Sequence, residues 1–215
     1  MKRILTALVL LTCLFGAGDA VWADAESDAD KGWEAHESKD YATALKEWRP
    51  LAEQGDAAAQ TRLGHMYNYG YGVTEDGAEA VKWYRKAAEQ GYAWGQISLG
   101  LQYADGDGVT KDYAETVKWF RKAAEQGNAD AQSELGFVYA RGGKGVWQDL
   151  SAAHMWYNIA AVNGQRHSAE DRDLAADKLT PSELVEARER AKRCMDSEYK
   201  DCEAEPKSWW KKLLD

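Results

Sequence analysis

A few short stretches hold residue types that could do chemistry. Ser197 and Lys200 stand at the S-x-x-K spacing, in which a lysine can activate a serine nucleophile. That chemistry also needs S-D-N or K-T-G elements, and the chain has neither. "HESKD" begins like a zinc-protease helix with His36, but Asp40 stands where the second histidine must be. "GGKGV" sets a lysine among glycines without the full phosphate-loop spacing or its Ser/Thr, so it reads as a turn. "DGDG" at Asp105 has the look of a calcium loop, but the Gly and Glu offsets do not fit. The four histidines, His36, His65, His154 and His167, share no spacing. These residues imply no catalytic site, no metal and no cofactor.

The cysteines carry a different chemistry. Cys194 and Cys202, separated by "MDSEYKD", read as one local disulfide in an oxidising compartment. A metal site is the alternative; it would need more ligands, and no histidine lies in this segment. The third cysteine, Cys13, falls in an N-terminal stretch with the three parts of a secretory signal. Lys2 and Arg3 precede the apolar run Ile4 to Phe15, and "GAGDAVWADA" supplies small residues. The expected cut follows Ala23, with a lipoprotein cut before Cys13 as the rival. The apolar run is too short to span a bilayer. A periplasmic or secreted location follows, with no stable membrane insertion.

Composition narrows the partners. Thirty-six acidic against 27 basic residues leave a formal net charge of −9. Nucleic acid is disfavoured, because phosphate binding needs a basic surface.

The elements that would position any site are set by repetition. "VKWYRKAAEQG" from Val81 returns as "VKWFRKAAEQG" from Val117. Gly55, Gly91 and Gly127 keep the same interval, as do Gly64, Gly100 and Gly136, and Tyr67, Tyr103 and Tyr139. Leu63, Leu99 and Leu135 follow it, and so do Gln60, Gln96 and Gln132. A further copy runs through Gly142, Gly145, Val146, Asp149, Trp156, Tyr157 and Gly164, with one residue added in "RGGKGV". A period of this length marks a solenoid. Each unit reads as two helices. In the second, Val117, Phe120, Ala123 and Ala124 form an apolar stripe, and Asp112 with Glu115, or Asp76 with Glu79, has capping-box spacing. Gly127 stops the helix. In the first helix, Gly136 costs about 1 kcal/mol against Ala. Its recurrence implies close approach of the partner helix. The aromatic pairs Trp83–Tyr84 and Trp119–Phe120 are expected to fill the space between helices. Val109 is expected to plug the gap beside the loop glycines Gly106 and Gly108.

The pattern A-x-x-Q-x-x-L-G-x-x-Y-x-x-G-x-G-V-x-x-D…W-Y/F-x-K-A-A-x-x-G resembles the Sel1-like repeat, a relative of the tetratricopeptide repeat. Ala93, Gln96, Leu99, Gly100, Tyr103, Gly106, Gly108, Val109, Asp112, Trp119, Phe120, Lys122, Ala123, Ala124 and Gly127 carry it in one unit. The resemblance implies an all-α solenoid of helix-turn-helix repeats that acts as an adaptor or assembly module. It also brings a rival, since some Sel1-like proteins are linked to β-lactam binding or hydrolysis: a weak hydrolase of β-lactams or cell-wall fragments.

The expected organisation is a signal at 1–23, an N-terminal capping helix at 24–39, repeats over 40–165, capping helices and a disulfide loop over 166–202, and a tail at 203–215. The first hairpin is four residues short, with a tight turn at "SKD". Pro50 is expected to kink or interrupt its helix. Thr180, Pro181 and Glu183 announce a capped helix near the end. The tail, with Trp209, Trp210, Lys211 and Lys212, is expected to pack loosely on the cap, or else to contact a partner or a membrane surface.

Positions that change between copies mark a surface open to a partner. These are Ala58, Trp94 and Asp130; Thr61, Ile97 and Ser133; His65, Leu101 and Phe137; and Tyr69, Asp105 and Arg141. At 100° per residue they form one stripe. Trp94, Ile97, Leu101 and Phe137, flanked by His65 and Tyr69, are the expected docking residues for a protein or peptide segment.

Overall fold

An N-cap acid, an apolar stripe and a terminal glycine recur along the chain, and each recurrence becomes one helix. The computed structural model describes residues 30–202; the expected signal segment and tail lie outside them. Residues 30–37 form α1. There follow α2 (Tyr41–Glu53), α3 (Ala57–Tyr69), α4 (Gly77–Glu89), α5 (Ala93–Asp105) and α6 (Tyr113–Ala124). The last four are α7 (Ala129–Arg141), α8 (Leu150–Val162), α9 (Ser168–Ala176) and α10 (Pro181–Asp196). From α2 to α9 each helix packs chiefly on its neighbours in sequence, α3 also meets α5, and α10 passes over α9 to pack on α8. The result is an all-α solenoid of helical hairpins with a C-terminal helical cap.

The recurring glycine is where the two helices of a unit touch. A Cβ on Gly64 would lie 2.5 Å from the ring of Tyr84, one on Gly100 2.6 Å from Phe120, and one on Gly136 2.6 Å from Tyr157. In the short first hairpin Gly32 meets the indole of Trp48 in the same way. Tyr84 and Phe120 are almost wholly buried, as are Leu63, Leu99 and Leu135 behind them. Val109 packs at the edge of the same core.

A second recurrence joins successive units. Gln60, Gln96 and Gln132 are buried, and each donates from Nε2 to a carbonyl at the end of the preceding helix: Ala52, Ala88 and Ala124, at 3.0, 3.2 and 3.1 Å. Their Oε1 atoms accept at 2.8 Å from Gln90, Gln126 and Asn163 one unit further on. A buried amide left unpaired costs about 1–3 kcal/mol, so this ladder ties each hairpin to the next. The repeated tyrosines serve a third tie: Arg85 and Arg121 donate to the hydroxyls of Tyr103 and Tyr139, both at 2.8 Å.

Two expectations change. Asp76 and Asp112 do cap α4 and α6, accepting from Glu79 N at 2.9 Å and Glu115 N at 3.2 Å. They do not form reciprocal boxes, because the cap N–H groups donate instead to the carbonyls of Tyr67 and Tyr103, 2.9 Å away. Glu115 is thereby free to accept from Trp119 Nε1 at 3.1 Å. The full box occurs at α10, between Thr180 and Glu183. Pro50 does not interrupt α2, which runs unbroken through it. It sits in the last turn with Lys46 and Pro50 both exposed, so water can serve the carbonyl that loses its partner. The added residue of "RGGKGV" is absorbed by a tight turn in which Gly143 and Val146 exchange backbone hydrogen bonds of 2.7 and 3.0 Å.

The cap closes the open end. Cys194 and Cys202 are disulfide-bonded and buried, and they extend the core that includes Leu135, Trp156 and Ile159. Inside the bridge, Tyr199 takes a positive φ of 65° and aims its hydroxyl at the Asn163 amide, 2.9–3.0 Å away. Asn163 is the last rung of the amide ladder, so the disulfide loop fastens onto the repeat frame directly.

Candidate functional surface

The first helix of each unit turns one side to its partner helix and leaves the opposite side open. On α5 the open side carries Trp94 and Leu101, and on α7 Phe137; all three are exposed, as is Tyr69 at the end of α3. Trp94 keeps 48% of its surface and Phe137 49%. Single exposed apolar side chains are ordinary, and it is their place on the open side of successive first helices that marks a surface. His65 is half-buried. Its ring stacks on Tyr69, meets Tyr84 edge-on, and lies 3.5 Å from the Ser98 hydroxyl. Burial, and to a lesser extent the nearby His36, holds the His65 imidazole below its usual pKa.

Ile97 does not belong to this surface. It is 6% exposed and packs in the core with Val117, Phe120, Ala131 and Leu135. The reason is angular: three residues after Trp94 places Ile97 about 60° off the stripe, on the side facing α7. The other members of that row behave alike. Thr61 is buried with its hydroxyl on the Ala57 carbonyl, and Ser133 accepts from the Ser168 hydroxyl at 2.9 Å. Ile97 and Ser133 thus face the next first helix, α7 and α9 respectively.

One exposed residue was missed. Trp33 follows Gly32 as His65 follows Gly64, Leu101 follows Gly100 and Phe137 follows Gly136. Aligning the short first hairpin on its glycine would have found it. Trp33 is 47% exposed, with the Arg62 guanidinium 5.8 Å from its ring centre. The position after the glycine thus forms one row across four hairpins.

The row ends in an acidic corner. Ser133, Glu134, Phe137, Tyr157 and Asp171 line a cleft of about 250 Å³ between α7, α8 and α9. Burial, then Asp130 and Asp105, push the Glu134 carboxyl above its usual range. Burial first, with Asp171 and Glu134 beside it, raises the Tyr157 phenol to about 12. Asp130 is positioned by Gln165, whose Nε2 donates to it at 2.8 Å.

The stretches with chemical potential are engaged elsewhere. Ser197 donates to the Cys194 carbonyl and accepts from Asp201 N, both at 2.9 Å, while Lys200 pairs with Glu198. His36 lies among the rings of Trp33, Tyr41, Trp48 and Tyr71. Among the described residues no three metal-ligating side chains gather, and no helix is long and apolar enough to cross a membrane.

The Sel1 repeat profile matches residues 57–92, 95–128 and 129–164. Among solved structures, a Sel1 repeat protein from Oxalobacter formigenes is similar at 34% identity over 80% of this chain and 72% of that one, with a TM-score of 0.63. A protective antigen present in uropathogenic Escherichia coli strains, displaying an SLR fold, is similar at 26% identity over 91% of this chain, with a TM-score of 0.56. The chain spans 49% of that antigen. No curated protein matches.

Proposed function

We propose, from the premise that this chain belongs to the Sel1 repeat family, that it is a non-enzymatic interaction module of the periplasm or extracellular space. It docks a segment of a protein partner along its first helices. The observation that carries this reading is the row of exposed Trp33, half-buried His65, and exposed Leu101 and Phe137, with exposed Trp94 and Tyr69 beside it. Contiguous exposed apolar surface is costly in a soluble protein and marks interaction sites. A row with one member per hairpin suits an extended segment read unit by unit. The Cys194–Cys202 bridge supports export, because such bonds persist in oxidising compartments.

Capture of partners from envelope extract by the immobilised protein tests the reading. Trp94→Ala with Leu101→Ala should abolish capture while the circular dichroism spectrum stays helical. Ile97→Ala should instead cost stability, being core. Undiminished capture by the double variant would remove the groove from consideration.

A further inference from the structure

The surface described above has an apolar end bearing carboxylates, and the stretch Trp209–Leu214 of the chain sets two lysines among apolar residues. Glu134 on α7 and Asp171 on α9 line the cleft with the ring of Phe137, and Asp130 and Asp105 act on Glu134 from nearby. The Arg141 guanidinium stands 5.8 Å from the Phe137 ring; Leu101 and Trp94 are exposed on α5. Residues 203–215 read "EAEPKSWWKKLLD" and hold Trp209, Trp210, Leu213 and Leu214 around Lys211 and Lys212.

The exit point of that segment is placed by the disulfide loop. Cys202 is bonded to Cys194, and Tyr199 in the loop contacts Asn163 in the turn between α8 and α9. The same turn holds Asp130 through Gln165. Tyr199 also packs on Gly127, immediately before α7. The segment therefore leaves the frame at the end where α7 begins, beside the acidic corner. Residues 203–208 span up to about 20 Å when extended, whereas packed helices are about 8–10 Å apart. From the start of α7 to Phe137 is about 12 Å along the helix, so the extended leash is of the length needed to bring the segment to Phe137.

We propose that the open surface of α5 and α7 is occupied by the chain's own segment Trp209–Leu214. The tryptophans cover Phe137 and Leu101, and Lys211 and Lys212 lie against Glu134, Asp130 and Asp171. This rests on the reading of that surface as a docking site and makes it self-occupied, so that an outside partner must displace the segment. Tethering favours the internal occupant, because a short leash sets an effective concentration in the millimolar range.

Photocrosslinking in the full chain tests this, with benzoylphenylalanine replacing Trp210. The expected result is a crosslink within one chain to α5 or α7, at a yield independent of protein concentration. Lys211→Glu with Lys212→Glu should lower that yield about fivefold, each reversed charge counting for a fraction of a kilocalorie against several carboxylates. Crosslinks on α6 or α10, no crosslink to α5 or α7, a yield that grows with concentration between copies, or indifference to the lysine reversal would each overturn the proposal. The parent reading is separable. If the crosslink fails while Trp94→Ala with Leu101→Ala still loses partner capture, only the internal occupant falls. If both fail, the docking surface falls with it.

Discussion

Gly136 lies face to face with Tyr157: a methyl group on its α-carbon would sit 2.6 Å from Cδ1 of the ring. Gly100 stands in the same relation to Phe120, and Gly64 to Tyr84. No real Cβ tolerates that distance, so the glycine sets how closely the two helices of a hairpin approach.

Gly100→Ala is therefore expected to destabilise the protein, although alanine favours helix by about 1 kcal/mol. The overpacking cost in a filled core is about 1–3 kcal/mol. Adding Phe120→Leu should recover part of the loss. Urea unfolding measures both; a more stable Gly100→Ala would show that the ring yields freely.

Removing one rung of the amide ladder should loosen the joint between units. Gln96→Leu removes two hydrogen bonds, while Gly91 N still serves the Ala88 carbonyl and Gln126 still donates to the Lys122 carbonyl, so the expected loss is about 1 kcal/mol. Hydrogen exchange should quicken on both sides of the joint. Equal protection in variant and parent would mean that water replaces the amide.

Protein produced from residue 24 onward in an oxidising compartment should show no free thiol in an Ellman titration under denaturing conditions. Reduction should cost about 2–3 kcal/mol by the chain-entropy model. The loss should fall on α10 and the Tyr199–Asn163 contact, with α3 to α6 retaining their protection. Two titratable thiols in freshly purified protein would contradict the bridge.

Stability should decline as the medium is acidified below about pH 6.5. His154 is buried; burial first, then Arg188 and Arg172, hold its imidazole below the usual value against the opposing pull of Asp173. His65 is lowered as well. A depressed folded-state pKa means the unfolded chain binds the proton more readily, so this stability is present above 6.5 and lost as pH falls. His154→Gln should flatten the decline in Tm between pH 7 and 5. Glu134 has the opposite sign. Its raised pKa makes it a stability cost that grows as pH rises through its folded-state value, so Glu134→Gln should raise Tm at pH 7 and leave it unchanged at pH 4. Parallel pH profiles for parent and variants would refute both assignments.

Much of the frame was legible because it is periodic. The recurring Gly, Leu, Gln and Tyr positions each meet the same partner in successive hairpins, so equality of spacing in the chain becomes equality of environment in the fold. Gly32 followed the rule too, once the shorter first hairpin was aligned on it. The surface was less legible. Variation between copies singled out Trp94, Leu101, Phe137 and Tyr69, all of which are exposed, but it also singled out Ile97, which is core. A position varies either because a partner reads it or because neighbouring units differ where they meet, and spacing alone does not separate the two.

The sequence by itself determined that the chain is a solenoid of helical hairpins, where its helices start and stop, and which glycines admit a partner ring. Those features depend on local backbone geometry and on a period that each unit satisfies with its neighbour. Only the tertiary structure decided which side of the first helix stays open. It alone set Glu134 and Asp171 in one cleft with Phe137, with Asp130 and Asp105 acting on Glu134 from nearby, and placed the Cys194–Cys202 loop beside Asn163. Those juxtapositions depend on the rotation between successive hairpins. That rotation is a sum of many side-chain contacts across the seams, and no single spacing encodes it.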